Sequence, residues 1–127
     1  MPKSTDLSGW GRYPTVESQI ERPEKQSALR SQVEGDGKSL LARGAGRSYG
    51  DASLLNSEGK TLLTDRLNRM LAFDPDTGVL RAEAGLRLRE ILAVFCPRGR
   101  FLPVTPGTKW VPLGGPVAFD VQRTLPP

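Results

Sequence analysis

Ala42-Arg43-Gly44-Ala45-Gly46-Arg47-Ser48-Tyr49-Gly50-Asp51 is the stretch on which the reading of the fold turns. It continues from Ser39-Leu40-Leu41-Ala42, a short apolar run between turn formers, which reads as a buried strand. The glycines at 44, 46 and 50 let the backbone turn sharply and come close to a ligand. Successive main-chain N–H groups in such a turn converge on an anion. Arg43 and Arg47 add positive charge there, and Ser48 adds a hydroxyl donor. A phosphate or pyrophosphate suits this loop. A Gly-x-Gly is equally the signature of an ordinary surface turn, and the residues alone leave both readings open. Spacing excludes two familiar phosphate loops. A Rossmann fingerprint needs glycine three residues after Gly46, where Tyr49 stands, and a Walker A loop needs a Gly-Lys-Ser/Thr that is absent.

Outward from this loop the pattern is mixed. Thr61-Leu62-Leu63-Thr64 reads as a second strand. Met70-Leu71-Ala72-Phe73-Asp74 and Val79-Leu80-Arg81-Ala82-Glu83 flank the turn formers Pro75 to Gly78 and predict a hairpin. Leu88, Ile91, Leu92 and Phe95 recur at helical spacing and predict a helix ended by Pro97 and Gly99. Upstream, Pro23 opens a helix predicted over 23–34, with Ala28, Leu29 and Val33 on one face and Gly35 and Gly37 beyond its end. The first dozen residues read as an exposed arm that packs through Trp10. Seven of the 11 prolines fall in the last 31 residues, which argues against a central strand there. The fold class expected is α+β, a small mixed sheet flanked by two helices.

Composition narrows the chemistry. The 127 residues suit one domain with a core of its own. A single cysteine, Cys96, excludes an internal disulfide and a multi-cysteine metal site, and the absence of histidine excludes imidazole as base, ligand or cofactor anchor. The net charge of +4 comes from 18 basic and 14 acidic residues, 13 of the basic ones being arginine. That excess is mild and reads as a solubilising surface or as an attraction for an anionic partner. The longest apolar run, Ile91 to Cys96, is far short of the roughly 20 residues needed to span a bilayer. The first residues lack the apolar core of a signal peptide. The cytoplasm is the expected compartment, with membrane association only through a partner.

The loop resembles the pyrophosphate loop of FAD-binding oxidoreductases of the p-cresol-methylhydroxylase and vanillyl-alcohol-oxidase type. Gly9-Trp10-Gly11-Arg12 and Leu102-Pro103-Val104-Thr105-Pro106-Gly107-Thr108, followed by Gly114-Gly115, are similar to one branch of that family. The branch includes the decaprenylphosphoryl-β-D-ribose 2-oxidases and related bacterial sugar-alcohol oxidases. Order and spacing agree from about Ser8 to Asp120. The resemblance implies the first lobe of that family's FAD domain and non-covalent FAD. It places the backbone of Arg43, Gly44, Ala45, Gly46, Arg47, Ser48, Tyr49, Gly50, Asp51 and Ala52 around the pyrophosphate. It puts Gly107 and Thr108 near the flavin end and lets Gly114 and Gly115 approach the dinucleotide. It runs the segment containing Phe119, Asp120 and Gln122 past the isoalloxazine. The implied reaction removes a hydride from a carbon bearing a hydroxyl and delivers it to the flavin.

Toward the C-terminus the pattern departs from the family. Pro112 and Pro116 remove backbone donors, Phe119 puts a ring at a small-residue position, and Gln122 stands where the family has histidine. Departures this dense are those expected of a truncated, frame-shifted or decayed gene product. The resulting division is an arm over 1–15, a partial FAD-binding domain over 16–122 and a divergent tail over 123–127. No catalytic or metal-binding residue is assigned, and the substrate domain of the family is expected to be missing. The chain alone is therefore expected to be inactive. Two other functional readings are a remnant that binds FAD weakly or not at all, and a basic nucleic-acid module. Nucleic acid is not the expected partner, because no aromatic residues interleave Arg87, Arg89, Arg98 and Arg100. These four read as a solvated helix face. Asp74 and Asp76 read as turn residues rather than a metal pair, Cys96 as a buried structural thiol, and Glu83 and Glu90 as carboxylates on separate elements.

Overall fold

The structure is a computed structural model that describes residues 3–35, 37–48, 50–56, 58–103 and 105–118. The chain divides into two compact units, Met1–Leu67 and Asn68–Pro127.

The first unit is built on a four-stranded mixed sheet in the order β1-β2-β4-β3. Its strands are β1 (Lys3–Ser8), β2 (Thr15–Glu21), β3 (Leu40–Arg43) and β4 (Lys60–Leu63). β1 pairs antiparallel with β2, from Lys3↔Ile20 to Ser8↔Thr15. β4 lies parallel to both β2 and β3, with Thr61 opposite Ile20 on one side and Leu41 on the other. Being flanked on both sides buries the middle of β4, at Thr61 and Leu62. Residues 3–8, expected as an exposed arm, instead form edge strand β1, although Lys3 to Asp6 stay exposed. β2 turns Val16, Ser18 and Ile20 to one face, with Ser18 buried.

Helix α1 (Gln26–Val33) starts three residues later than expected. None of its residues is buried, and Val33 on the expected apolar face is 61% exposed. That stripe marks helix formation without marking a core contact.

The second unit carries the hairpin of β5 (Met70–Phe73) and β6 (Leu80–Ala82), paired antiparallel with an irregularity between Met70 and Ala72. Asp74 Oδ1 accepts the N–H groups of Asp76 and Thr77, at 2.9 and 3.3 Å, so the acidic turn residue closes the turn. Helix α2 (Leu88–Phe95) follows. Leu88 and Ile91 from its stripe join Leu86 as a buried core, with Met70, Leu80, Ala82, Phe95, Leu102, Val111 and Leu113 packed against it. The Glu90 carboxylate accepts the Arg87 N–H at 2.9 Å and so caps the first turn of α2. A 3-10 turn over Cys96–Arg98 ends at Gly99, which has φ 73°. Cys96 is exposed, contrary to the buried thiol expected: it lies past the end of α2, in the 3-10 turn, outside the Leu86/Leu88/Ile91 core.

A short helix α3 (Gly114–Ala118) forms in the proline-rich stretch, where the sequence argues against a central strand and predicts no helix. Proline in a first helical turn loses no hydrogen bond, because those N–H groups have no partner within the helix. The helix is seated from outside, by Leu113 N–H to Leu86 O and Gly114 N–H to Ala84 O, both at 2.9 Å. Glu83 is buried and held by Arg69, whose Nη2 and Nε donate to it at 2.9 and 3.2 Å, while the Arg69 backbone N–H donates at 2.9 Å.

Candidate cofactor loop

The glycine-rich segment leaves the carboxyl end of β3, an edge strand parallel to β4. Ligands of open α/β sheets bind outside the carboxyl ends of their strands. The base of the loop is fixed by Arg43. Its carbonyl accepts both the N–H and the hydroxyl of Thr64, at 3.1 and 3.3 Å. Its guanidinium reaches two other parts of the unit: Nη2 donates to Ser8 O at 2.6 Å, and Nη1 to Ser53 Oγ at 2.8 Å and Ser53 O at 3.2 Å. Burial pulls its pKa below the usual arginine value. An arginine remains charged despite such a shift.

Gly46 has φ 66° and Gly50 φ 60°, in the left-handed region that favours glycine. At Gly46 this freedom combines with crowding, since a Cβ there would lie 2.9 Å from Arg43 Cζ. Among the described residues, Gly44, Ala45, Gly46, Arg47 and Ser48 donate no backbone hydrogen bond. The loop closes downstream with Leu54 N–H to Asp51 O at 2.8 Å. Gly44, Arg47, Gly50, Asp51 and Ala52 are exposed.

The segment after β1 packs on this loop. Trp10 N–H donates to Ser48 O at 3.5 Å, and Arg47 Cζ lies 5.8 Å from the centre of the Trp10 ring. Gly9 and the 43–52 loop, separate stretches in the sequence, thus form one local structure. The role of Arg43 as a clamp carried no sequence signal, because its partners Ser8 and Ser53 lie 35 and 10 residues away.

In the second unit, Gly114 packs on Ala84: a Cβ added to it would lie 3.2 Å from that residue's Cβ. A Cβ on Gly107 or Gly115 would meet nothing within 4 Å among the described residues. Thr108 Oγ1 accepts the Trp110 N–H at 3.3 Å. Tyr49, Phe119, Asp120 and Gln122, together with the tail over 123–127, lie outside the described residues. Among the described residues, three of the four arginines near α2 have side-chain partners within the protein. Arg89 lies 5.0 Å from the Trp110 ring centre, Arg98 donates to Val94 O, and Arg100 donates to Pro75 O and lies 5.3 Å from the Phe73 ring centre.

The mixed sheet with its glycine loop is that of an α+β flavin-nucleotide domain of the p-cresol-methylhydroxylase type. The fold matches a crystal structure of cholesterol oxidase from B. sterolicum with a TM-score of 0.77 at 17% identity, over 95% of this chain and 24% of that one. The chain belongs to the FAD binding domain family, whose model matches residues 19–119. It is also 35% identical, over 120 residues, to decaprenylphosphoryl-beta-D-ribose oxidase of Mycolicibacterium smegmatis. That alignment takes in 91% of this chain and 26% of the relative, so the chain spans about a quarter of the relative's length. Among the described residues, no helix is long and apolar enough to cross a membrane.

Proposed function

We propose that the backbone of residues 43–52 holds the pyrophosphate of FAD, and that the chain is the first part of the cofactor domain of an oxidoreductase acting on a CH–OH group of a sugar or alcohol. The observation that carries this reading is the run of five residues, 44 to 48, whose N–H groups donate to no described backbone acceptor, at the carboxyl end of β3. Such N–H groups suit an anion. Gly46 supplies the left-handed backbone the turn needs, and the exposed Arg47 brings a guanidinium suited to phosphate oxygens. Gly107, Thr108, Gly114 and Gly115 are proposed as cofactor contacts of the second unit, as are Phe119, Asp120 and Gln122, from the sequence pattern alone.

FAD, when bound, supplies the hydride-accepting ring, and the role of this chain is to bind and orient it. Binding is proposed to be non-covalent, which the lack of histidine supports by removing a histidyl linkage. The sugar-type substrate is supported by the name of the mycobacterial relative. Catalytic side chains and the substrate domain are proposed to lie outside this sequence. The cytoplasm is the proposed compartment, supported by the exposed, unpaired Cys96.

Titration of the purified chain with FAD, followed by Trp10 and Trp110 fluorescence and by flavin absorbance, tests the reading. Saturable binding without bleaching on addition of sugar or alcohol substrates is the expected result. Failure to bind FAD would remove the proposed role of the loop.

A further inference from the structure

We infer that Arg43 is a positioning residue for the cofactor loop, acting through its fork of hydrogen bonds and not as a phosphate ligand. The inference rests on the reading of the loop as an FAD site. An arginine beside a glycine-rich anion loop is ordinarily taken as a ligand, because its guanidinium matches phosphate oxygens. The geometry here gives this guanidinium another task. Nη1 is committed to the hydroxyl and carbonyl of the buried Ser53, and Nη2 to the Ser8 carbonyl at the end of β1. The side chain therefore spans from the start of the loop to its far side and to a third strand. It also lies against Gly46, so the group that holds the two sides together occupies the space a side chain at 46 would need. Among the described residues Arg43 has no carboxylate partner, and its acceptors are three neutral oxygens. Arg47, in contrast, is exposed and lies over Trp10. The structure thus divides the work between two arginines four residues apart, with Arg43 shaping the loop and Arg47 left to face a ligand.

The two roles differ in what they require of the side chain. A phosphate ligand needs the charge, which lysine keeps. A strut needs two arms in a fixed plane, which lysine lacks. FAD affinity of the full chain is compared for wild type, Arg43→Lys, Arg43→Gln, Ser53→Ala and the double variant Arg43→Gln/Ser53→Ala, with hydrogen exchange of the Trp10, Leu54 and Thr64 amides, which donate to carbonyls of the loop, measured on each without FAD. The expected result is a loss of tenfold or more for Arg43→Lys, equal to that of Arg43→Gln. Ser53→Ala, which changes no charge, also weakens FAD binding, and the double variant is no weaker than Arg43→Gln alone. Retained affinity in Arg43→Lys together with unchanged affinity in Ser53→Ala would overturn the strut and make Arg43 a ligand. If Arg43→Lys fails to fold, Ser53→Ala and its hydrogen exchange decide. If wild type itself does not bind FAD, the loop reading fails separately. The strut then stands on faster exchange of these amides in the variants and falls if their exchange matches wild type.

Discussion

Gly9 packs directly against the carbonyl of Gly50, so closely that a Cβ on Gly9 would collide with that oxygen. This contact joins the turn after β1 to the far arm of the cofactor loop, and Trp10 N–H to Ser48 O continues the joint. Gly9→Ala forces a backbone carbonyl, not a flexible side chain, to move. Overpacking of that kind costs about 1–3 kcal/mol. The variant is expected to unfold at lower urea concentration than wild type and to bind FAD more weakly. Wild-type stability and affinity together would show that the two segments are not in contact.

Gly46 combines two constraints. Its φ of 66° disfavours a branched residue, and Arg43 occupies the space where a Cβ would sit. Gly46→Val is therefore expected to lower FAD affinity by at least about tenfold, or ~1.4 kcal/mol. Titration calorimetry on the folded variant, with far-ultraviolet circular dichroism as the control, checks it. Equal affinity for variant and parent would reject the role given to this loop.

Glu83 provides a pH test in the second unit. The hydrogen bond from the Arg69 guanidinium holds its carboxyl below the usual glutamate pKa, against the opposing effect of burial. A carboxyl with a lowered folded pKa contributes stability above its unfolded value, about 4.3, and loses it as pH falls through the folded value. Wild type should therefore show a Tm that declines as the pH is lowered past that value. Glu83→Gln should start with a lower Tm at neutral pH and show a shallower decline. Parallel Tm curves for the two proteins would mean that Glu83 does not carry the effect.

The elements that could be read from the sequence are those whose information is local. The β5–β6 hairpin is written in Asp74 to Gly78, and α2 in a stripe of four apolar residues. β1 and β2 escaped because they depend on each other. β1 is polar along most of its length, and the inward face of β2 carries Ser18 between Val16 and Ile20, which dilutes its alternation. α3 escaped because its sequence, Gly-Gly-Pro-Val-Ala, has poor helix propensity and is held by the carbonyls of Ala84 and Leu86. For the cofactor loop, residue types and glycine spacing were visible in advance. The direction in which Arg43 points was not, because it is set by oxygens contributed from β1 and from beyond the loop.

Ile91 tests the core that α2 supplies. It is 3% exposed and packs with Leu86 and Leu88, while the hairpin residues Met70, Leu80 and Ala82 close around them. Truncating a buried isoleucine removes its transfer free energy and leaves a cavity that the neighbours refill only in part, for a loss of about 2–5 kcal/mol. Ile91→Ala should unfold at markedly lower urea concentration with an unchanged m-value, the sign of a stability change without a change in the surface exposed. Ala93→Gly, on the exposed side of the same helix, should cost only the helix propensity difference, about 1 kcal/mol. A loss at Ile91 no greater than that at Ala93 would mean that the apolar face of α2 is not packed as described.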